Sequence, residues 1–171
     1  MGIPPRIQKH FDDMIHARNH IELVKAYGES ASEIIRTQNS GSLNDQTAHQ
    51  IFQAHNAIYT RKAQEFPCAP KTTQECVQLE SLLLSPHPRF TRGWLEWTLS
   101  GNYNKGPTLK HRMAVKPIIE RWIKCEYIRP AGNGDYTLGE EGRRLESAIK
   151  MGGRFRNVED VYKFTSMDDL R

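Results

Sequence analysis

The sequence predicts a mainly α protein, with a helical N-terminal part and a C-terminal domain that contains a single β-hairpin. Apolar residues recur at helical spacing along most of the 171-residue chain. One short stretch, residues 127–138, instead places strand-forming residues on both sides of a glycine turn. With 26% charged residues, a mean hydropathy of −0.68 and no long apolar run, the composition is that of a polar globular protein and excludes a membrane-spanning helix.

The N-terminal region, residues 1–67, carries three helical patterns. The first predicted helix runs from residue 4 to about residue 27, where Gly28 suits its end. A second short helix is predicted at residues 32–37. After a polar loop, a third amphipathic pattern ends by residue 66, because two prolines follow in four residues. The region is predicted to serve dimerisation or partner binding, and so is the closing segment "NVEDVYKFTSMDDL" within the tail, residues 151–171.

The second region, residues 72–150, begins with three further helical patterns. Apolar stripes predict helices near residues 76–84 and 89–99 and another that ends at Cys125. Pro117 costs little in the first turn of a helix but about 3 kcal/mol in its interior. The last of the three helices is therefore predicted to begin near Met113 or Ala114. This leaves residues 105–112 as a basic loop that leads into it.

The hairpin follows directly. Gly132-Asn133-Gly134-Asp135 supplies the positive φ angles that a tight hairpin turn requires, and Tyr136, Thr137 and Leu138 return as the second strand. Two strands of this length are not stable alone, so they are predicted to pack on the preceding helices. Glu140 and Glu141 then open a closing helix with acidic groups at its positive end.

Three helices, a two-stranded hairpin and a further helix over residues 72–150 resemble the winged helix-turn-helix fold. The pattern is most similar to the MarR- and PadR-like regulators, whose wing ends in a phrase of the form "LTxxGRxL". Here residues 138–145 read "LGEEGRRL" and follow "WIKCEYIR" at residues 122–129. The chain departs from the pattern at Gly139, where threonine is usual, and at Glu126, where glycine is usual.

The resemblance implies that the start of the third helix enters the DNA major groove and that the wing contacts the sugar-phosphate backbone or minor groove. Carried over by position, it assigns DNA binding to Thr91, Arg92, Lys105, Lys110, His111, Arg112, Lys116 and Arg129. Thr91 and Arg92 would hold phosphates at a helix start. Arg112 is the best candidate for sequence readout, because arginine binds guanine edges through two hydrogen bonds while lysine meets phosphate as a point charge.

The charge distribution is consistent with this assignment. The whole chain carries a formal charge of +4, but residues 86–130 alone carry nine basic and three acidic residues. The remainder is therefore net negative. A local basic patch on a near-neutral remainder is typical of a phosphate-binding surface, although a solvated face can also be basic.

Two other groups of residues suggest chemistry of a different kind. Asp13, His16 and His20 fall on one face of a helix, and imidazole with carboxylate is a reasonable set of metal ligands. The alternative is a solvated polar face. Trp94 and Trp122 are predicted to lie in the core. For Trp97 two interpretations stay open, a core residue or a platform on which nucleic-acid bases stack. His55, on an apolar stripe, is predicted to be a core histidine.

No hydrolase, phosphate-loop or zinc-peptidase motif occurs, so catalysis has no positional support and no cofactor is expected. The three cysteines lack the spacing of a zinc or redox site and are expected to be reduced. The first residues lack the features of a secretory signal, which predicts a cytoplasmic, nucleoid-associated or nuclear protein.

The sequence therefore predicts a sequence-specific duplex-DNA-binding protein, a homodimeric transcriptional regulator. Two alternatives stay open. One is a nucleic-acid-processing enzyme or its DNA-binding subunit, such as a small nuclease that uses Asp12, Asp13 and Glu22 with a distant lysine. The other is a winged-helix adaptor that binds protein.

Overall fold

The computed structural model describes residues 2–70, 73–85, 89–100 and 108–152, and within them the chain forms seven α-helices and three short strands. The prediction of a mainly α protein is confirmed. The chain divides into two compact units. The helical unit comprises Met1–Cys76 with Ala148–Arg171, and the hairpin unit comprises Val77–Ser147. None of the helices in the described ranges is long and apolar enough to cross a membrane.

The helical unit contains α1 (Pro5–Ile15), α2 (His20–Asn39) and α3 (Asp45–Ala63). The prediction of one helix over residues 4–27 followed by a short one is wrong. The chain leaves α1 after Ile15, and Asn19 starts α2 by accepting a hydrogen bond from the Glu22 backbone N–H at 2.9 Å. A good N-cap of this kind contributes about 1 kcal/mol, enough to favour a new helix over continuation of the old one.

Gly28 lies inside α2 and does not end it. Glycine in a helix interior costs about 1 kcal/mol relative to alanine, so local propensity favours the predicted end. Packing outweighs this cost here, because Leu23, Val24, Tyr27 and Ile34 on the same helix are all buried. His55 is fully buried and donates from Nε2 to the Tyr27 carbonyl at 3.1 Å, which confirms the predicted core histidine.

The hairpin unit takes in most of α4 (Thr73–Leu83) and α7 (Glu140–Lys150) and the elements between them. In chain order these elements are β1 (Phe90–Thr91), α5 (Arg92–Ser100), α6 (Leu109–Lys124), β2 (Ile128–Gly132) and β3 (Asp135–Leu138). The predicted hairpin is confirmed. Its turn residues Gly132, Asn133 and Gly134 all have positive φ angles, as the sequence requires.

The sheet has a third strand that the sequence did not predict. The strand order is β1-β3-β2, and all pairs are antiparallel, with Phe90 opposite Tyr136 and Ile128 opposite Leu138. A strand of two residues is too short to show a periodic pattern in the sequence. β1 is therefore recognised only from its pairing with β3. Trp122 is 1% exposed, which confirms its place in the core. Trp94 is half-buried and stacks on Phe90, while Trp97 is 38% exposed.

The end of α6 and the start of α7 approach each other backbone to backbone. Gly139 N–H donates to the Tyr127 carbonyl at 2.9 Å, and Gly142 N–H donates to the Glu126 carbonyl at 3.1 Å. A Cβ on Gly139 would lie 2.2 Å from the Glu126 oxygen, and one on Gly142 would lie 2.1 Å from the Tyr127 oxygen. The two departures from the wing pattern, Glu126 and Gly139, are therefore neighbours in space.

Glu126 holds a left-handed conformation, with φ of 61°, although its side chain is exposed. A left-handed non-glycine residue is strained, and glycine adopts this conformation without steric cost. We expect Glu126→Gly to raise the free energy of unfolding by up to about 1 kcal/mol, measured by urea denaturation. A decrease would mean that the exposed carboxylate makes a stabilising contact that outweighs the strain.

The cysteines differ from expectation. Neither Cys68 nor Cys125 is a free thiol, because each is disulfide-bonded, so the prediction of three reduced thiols is wrong. Cys76 is a buried thiol. Because disulfides are rare in the reducing cytosol, the bonded cysteines give the predicted cytoplasmic location no support.

Candidate nucleic-acid interface

Helix α6 begins earlier than the sequence predicts. Thr108 is its N-cap, and its hydroxyl accepts from the His111 N–H at 3.4 Å while the Thr108 N–H donates to His111 Nδ1 at 3.1 Å. This reciprocal pair is a capping box in which histidine takes the usual glutamate position. The predicted loop is therefore wrong for Leu109 to Arg112, which form the first turn of α6. Lys105 lies outside the described residues.

Pro117 is an interior residue of α6, and the predicted start near Met113 is wrong for this reason as well. Proline has no N–H, so the Met113 carbonyl loses its usual helical partner. Both residues are exposed, and solvent can therefore hydrate that carbonyl. The capping box at Thr108 and the three buried residues of the inner face, Val115, Ile119 and Trp122, offset the loss.

The outer face of α6 lies opposite that buried stripe. It consists of exposed residues from the N-terminal part of the helix: Leu109, Lys110, Met113, Lys116 and Pro117. Lys110 makes no ion pair within the described part of the chain. Lys116 Nζ lies 4.0 Å from Glu120 Oε1, and both side chains are more than 60% exposed. An exposed pair of this kind contributes little, so both lysines are available to a phosphate.

Arg112 is held in place by a three-residue brace, Arg92–Glu96–Arg112, which joins α5 to α6. Glu96 Oε1 accepts from Arg92 Nε at 3.0 Å, and Glu96 Oε2 lies 3.3 Å from Arg112 Nε. Arg92 also donates from Nη1 to the Tyr136 hydroxyl at 3.2 Å. The hydrogen bond to Tyr136 and then the Glu96 carboxylate raise the pKa of Arg92. Glu96 approaches Arg112 at Nε, and 58% of the Arg112 side chain is exposed.

The brace is a modest contributor to stability. Its two arginines are partly exposed, and water therefore screens their attraction to the carboxylate. We expect Glu96→Gln to lower the free energy of unfolding by about 1 kcal/mol or less. The matched control is Glu120→Gln, which removes an exposed 4.0 Å contact and is expected to change nothing measurable. Urea denaturation of both variants checks this. A loss of several kcal/mol from Glu96→Gln alone would contradict it.

Thr91 and the hairpin contribute the remaining polar groups. Thr91 Oγ1 accepts from the Trp94 N–H at 3.0 Å and caps α5, which leaves the exposed hydroxyl hydrogen to donate. Arg129 on β2 is exposed and has no ion-pair partner among the described residues. Arg89 donates to the Ala131 carbonyl at 2.6 Å and lies 3.6 Å from Asp135. From the sequence, this residue was included only in the count of basic residues. It fastens the tip of the hairpin to the start of β1.

The metal candidates Asp13, His16 and His20 do not come together. His16 Nδ1 lies 2.8 Å from the Asp12 carbonyl, and His20 is buried with Nε2 3.4 Å from the Tyr59 hydroxyl. Asp13 instead faces His10, whose Nδ1 lies 3.9 Å from it and 3.6 Å from Glu29. Within the described ranges, one group of three potential metal ligands has all its ligand atoms within 4.8 Å of one another: His10, Asp13 and Glu29. The sequence missed it because Glu29 belongs to the next helix.

The chain matches no protein-family model, no curated protein and no solved structure.

Proposed function

We propose that residues 72–150 form a winged helix-turn-helix domain that binds duplex DNA, and that the protein is a sequence-specific transcriptional regulator. The element order α4–β1–α5–α6–β2–β3 and the antiparallel sheet order β1-β3-β2 support this reading. The observation that carries it is the outer face of α6, where Lys110 and Lys116 are exposed, with Arg112 at its edge. All three lie in the helix that the wing pattern assigns to the major groove.

The proposed mechanism divides the work between phosphates and bases. The DNA major groove is about 12 Å wide and admits one α-helix. Lys110 and Lys116 then meet the phosphates on the groove walls as point charges. Arg112, whose Nε lies 3.3 Å from Glu96 Oε2, donates from its two terminal amino groups to the O6 and N7 acceptors of one guanine.

The wing and the start of α5 give the second set of backbone contacts. Arg129 on β2 meets a phosphate beside the groove, and the Thr91 hydroxyl donates to another at the start of α5. In this proposal Arg92 is mainly a positioning residue, because Glu96 and Tyr136 occupy its Nε and Nη1 groups. His111 acts through the helix cap and not through a base.

The proposal includes a homodimer, since a two-fold axis lets two copies of α6 meet half-sites one helical turn apart. The helical unit has exposed Ile15 and Ile35, each nearly half exposed, which supports its use as a dimer or partner surface. The closing segment of the chain lies outside the described residues. The proposed function requires a nucleoid or nuclear location, which the disulfide-bonded cysteines do not support.

Selection from a random duplex pool tests the readout. Wild type is expected to enrich a short sequence, and Arg112→Ala is expected to lose about ten-fold discrimination at one guanine-containing base pair while the rest of the sequence persists. Lys124→Ala serves as the control, because this exposed residue lies at the last turn of α6, far from the bases. An unchanged enriched sequence from Arg112→Ala would contradict the assigned base contact.

A further inference from the structure

The outer face of α6 is not uniformly polar. Leu109 is 73% exposed and Met113 is 68% exposed, and Pro117 completes an exposed apolar row at i, i+4 and i+8. Leucine and methionine side chains this exposed on a structured helix leave apolar area in water, at a cost of about 25 cal/mol per Å². The sequence pattern did not reveal the row, because the start of α6 was predicted to be loop.

We propose that Leu109 and Met113 read thymine, through apolar contact with its C5-methyl group in the major groove. The proposal rests on the proposed function. The charges around the row favour DNA as the occupant over a second protein, because Lys110, Lys116 and Arg112 border it, all of them exposed. A protein partner would have to bury these cations against acidic groups, whereas a DNA duplex supplies phosphates on both groove walls.

The spacing of the row fits base pairs that lie two steps apart. Side chains four residues apart on a helix lie about 6 Å apart along its axis, which is close to two base-pair steps of about 3.4 Å. The thymine C5-methyl is the only methyl group on the major-groove base edges, and leucine and methionine carry no strong hydrogen-bonding group that would favour another base. The preferred site therefore combines a guanine at Arg112 with thymines beside it.

The test compares two alternating duplex polymers, poly(dA–dT) and poly(dA–dU). They share phosphates and hydrogen-bonding edges and differ in the C5-methyl. Wild type is expected to bind the thymine polymer about four-fold tighter for one methyl contact and about fifteen-fold tighter for two. Leu109→Ser with Met113→Ser is expected to bind both polymers equally. The matched control, Met151→Ser, changes a residue that is 80% exposed outside the hairpin unit and is expected to keep the wild-type ratio.

Each other outcome overturns a defined part of the account. Equal binding of both polymers by wild type removes thymine readout and leaves DNA binding intact. Binding of neither polymer at low salt removes the proposed function as well. A third outcome is that wild type and the double serine variant each bind the two polymers equally, and that light scattering shows a dimer for wild type alone. The row would then be a protein interface.

Discussion

Gly142→Ala is expected to lower the free energy of unfolding of the hairpin unit by about 3 kcal/mol, the upper part of the range for overpacking. The added Cβ would lie 2.1 Å from the Tyr127 carbonyl oxygen and 3.0 Å from its carbon. Neither atom can rotate away, because both belong to the backbone. Relief requires α7 to move from the end of α6, and that movement also weakens the hydrogen bond from Gly142 N–H to the Glu126 carbonyl.

Tryptophan fluorescence during urea denaturation measures this effect in the right place. All three tryptophans of the chain, Trp94, Trp97 and Trp122, belong to the hairpin unit. The control is Gly93→Ala in α5, where an added Cβ meets nothing within 4 Å and φ is not positive. That variant is expected to gain up to about 1 kcal/mol from helix propensity. Equal midpoints for Gly142→Ala and wild type would contradict the close approach of α6 and α7.

Lys110→Ala combined with Lys116→Ala is expected to weaken duplex binding about thirty-fold at low salt, from two phosphate contacts of about 1 kcal/mol each. The loss should be similar for every duplex sequence, because phosphate contacts carry no sequence information. Both side chains are exposed on the outer face of α6, so the folded structure should not change. Fluorescence anisotropy with two unrelated duplexes measures the affinity.

The control for that variant is Lys9→Ala combined with Lys25→Ala. These lysines are exposed in the helical unit, and their removal changes the net charge of the chain by the same amount. It is expected to leave duplex affinity within about two-fold of wild type, because neither lysine belongs to the hairpin unit that is proposed to bind the duplex. If both double variants weaken binding equally, the total charge of the protein and not the outer face of α6 determines affinity.

The sequence predicted the features that local patterns encode. Helical periodicity predicted the apolar stripes and the burial of Trp122. The preference of glycine for positive φ angles predicted the turn at Gly132–Gly134. The prediction of helix boundaries was wrong where capping or packing outweighs the local apolar pattern. Asn19 starts a helix within an apolar pattern that otherwise continues, and Gly28 remains helical because of packing that the local sequence does not show.

The candidate site was predictable as a set of charges but not as a geometry. Lys110, Arg112 and Lys116 were identified from position in the wing pattern, whereas the brace through Glu96 depends on a contact between α5 and α6. The start of α6 was predicted wrongly because proline is unfavourable in a helix interior. Pro117 is nevertheless interior, and the cap at Thr108 offsets its cost, which helix propensity alone does not predict. The apolar row of Leu109 and Met113 was hidden by the same error.

The salt dependence of wild-type binding to a random duplex tests the DNA-binding proposal most directly. Three phosphate contacts per protomer, from Lys110, Lys116 and Arg129, predict that log K falls linearly with log salt with a slope of about −2.7 per protomer. The measurement is anisotropy of a labelled duplex between about 50 and 200 mM salt. A slope of this size that loses about 1.8 in the Lys110/Lys116 double variant agrees with the proposal. No duplex binding by wild type at about 50 mM salt contradicts it.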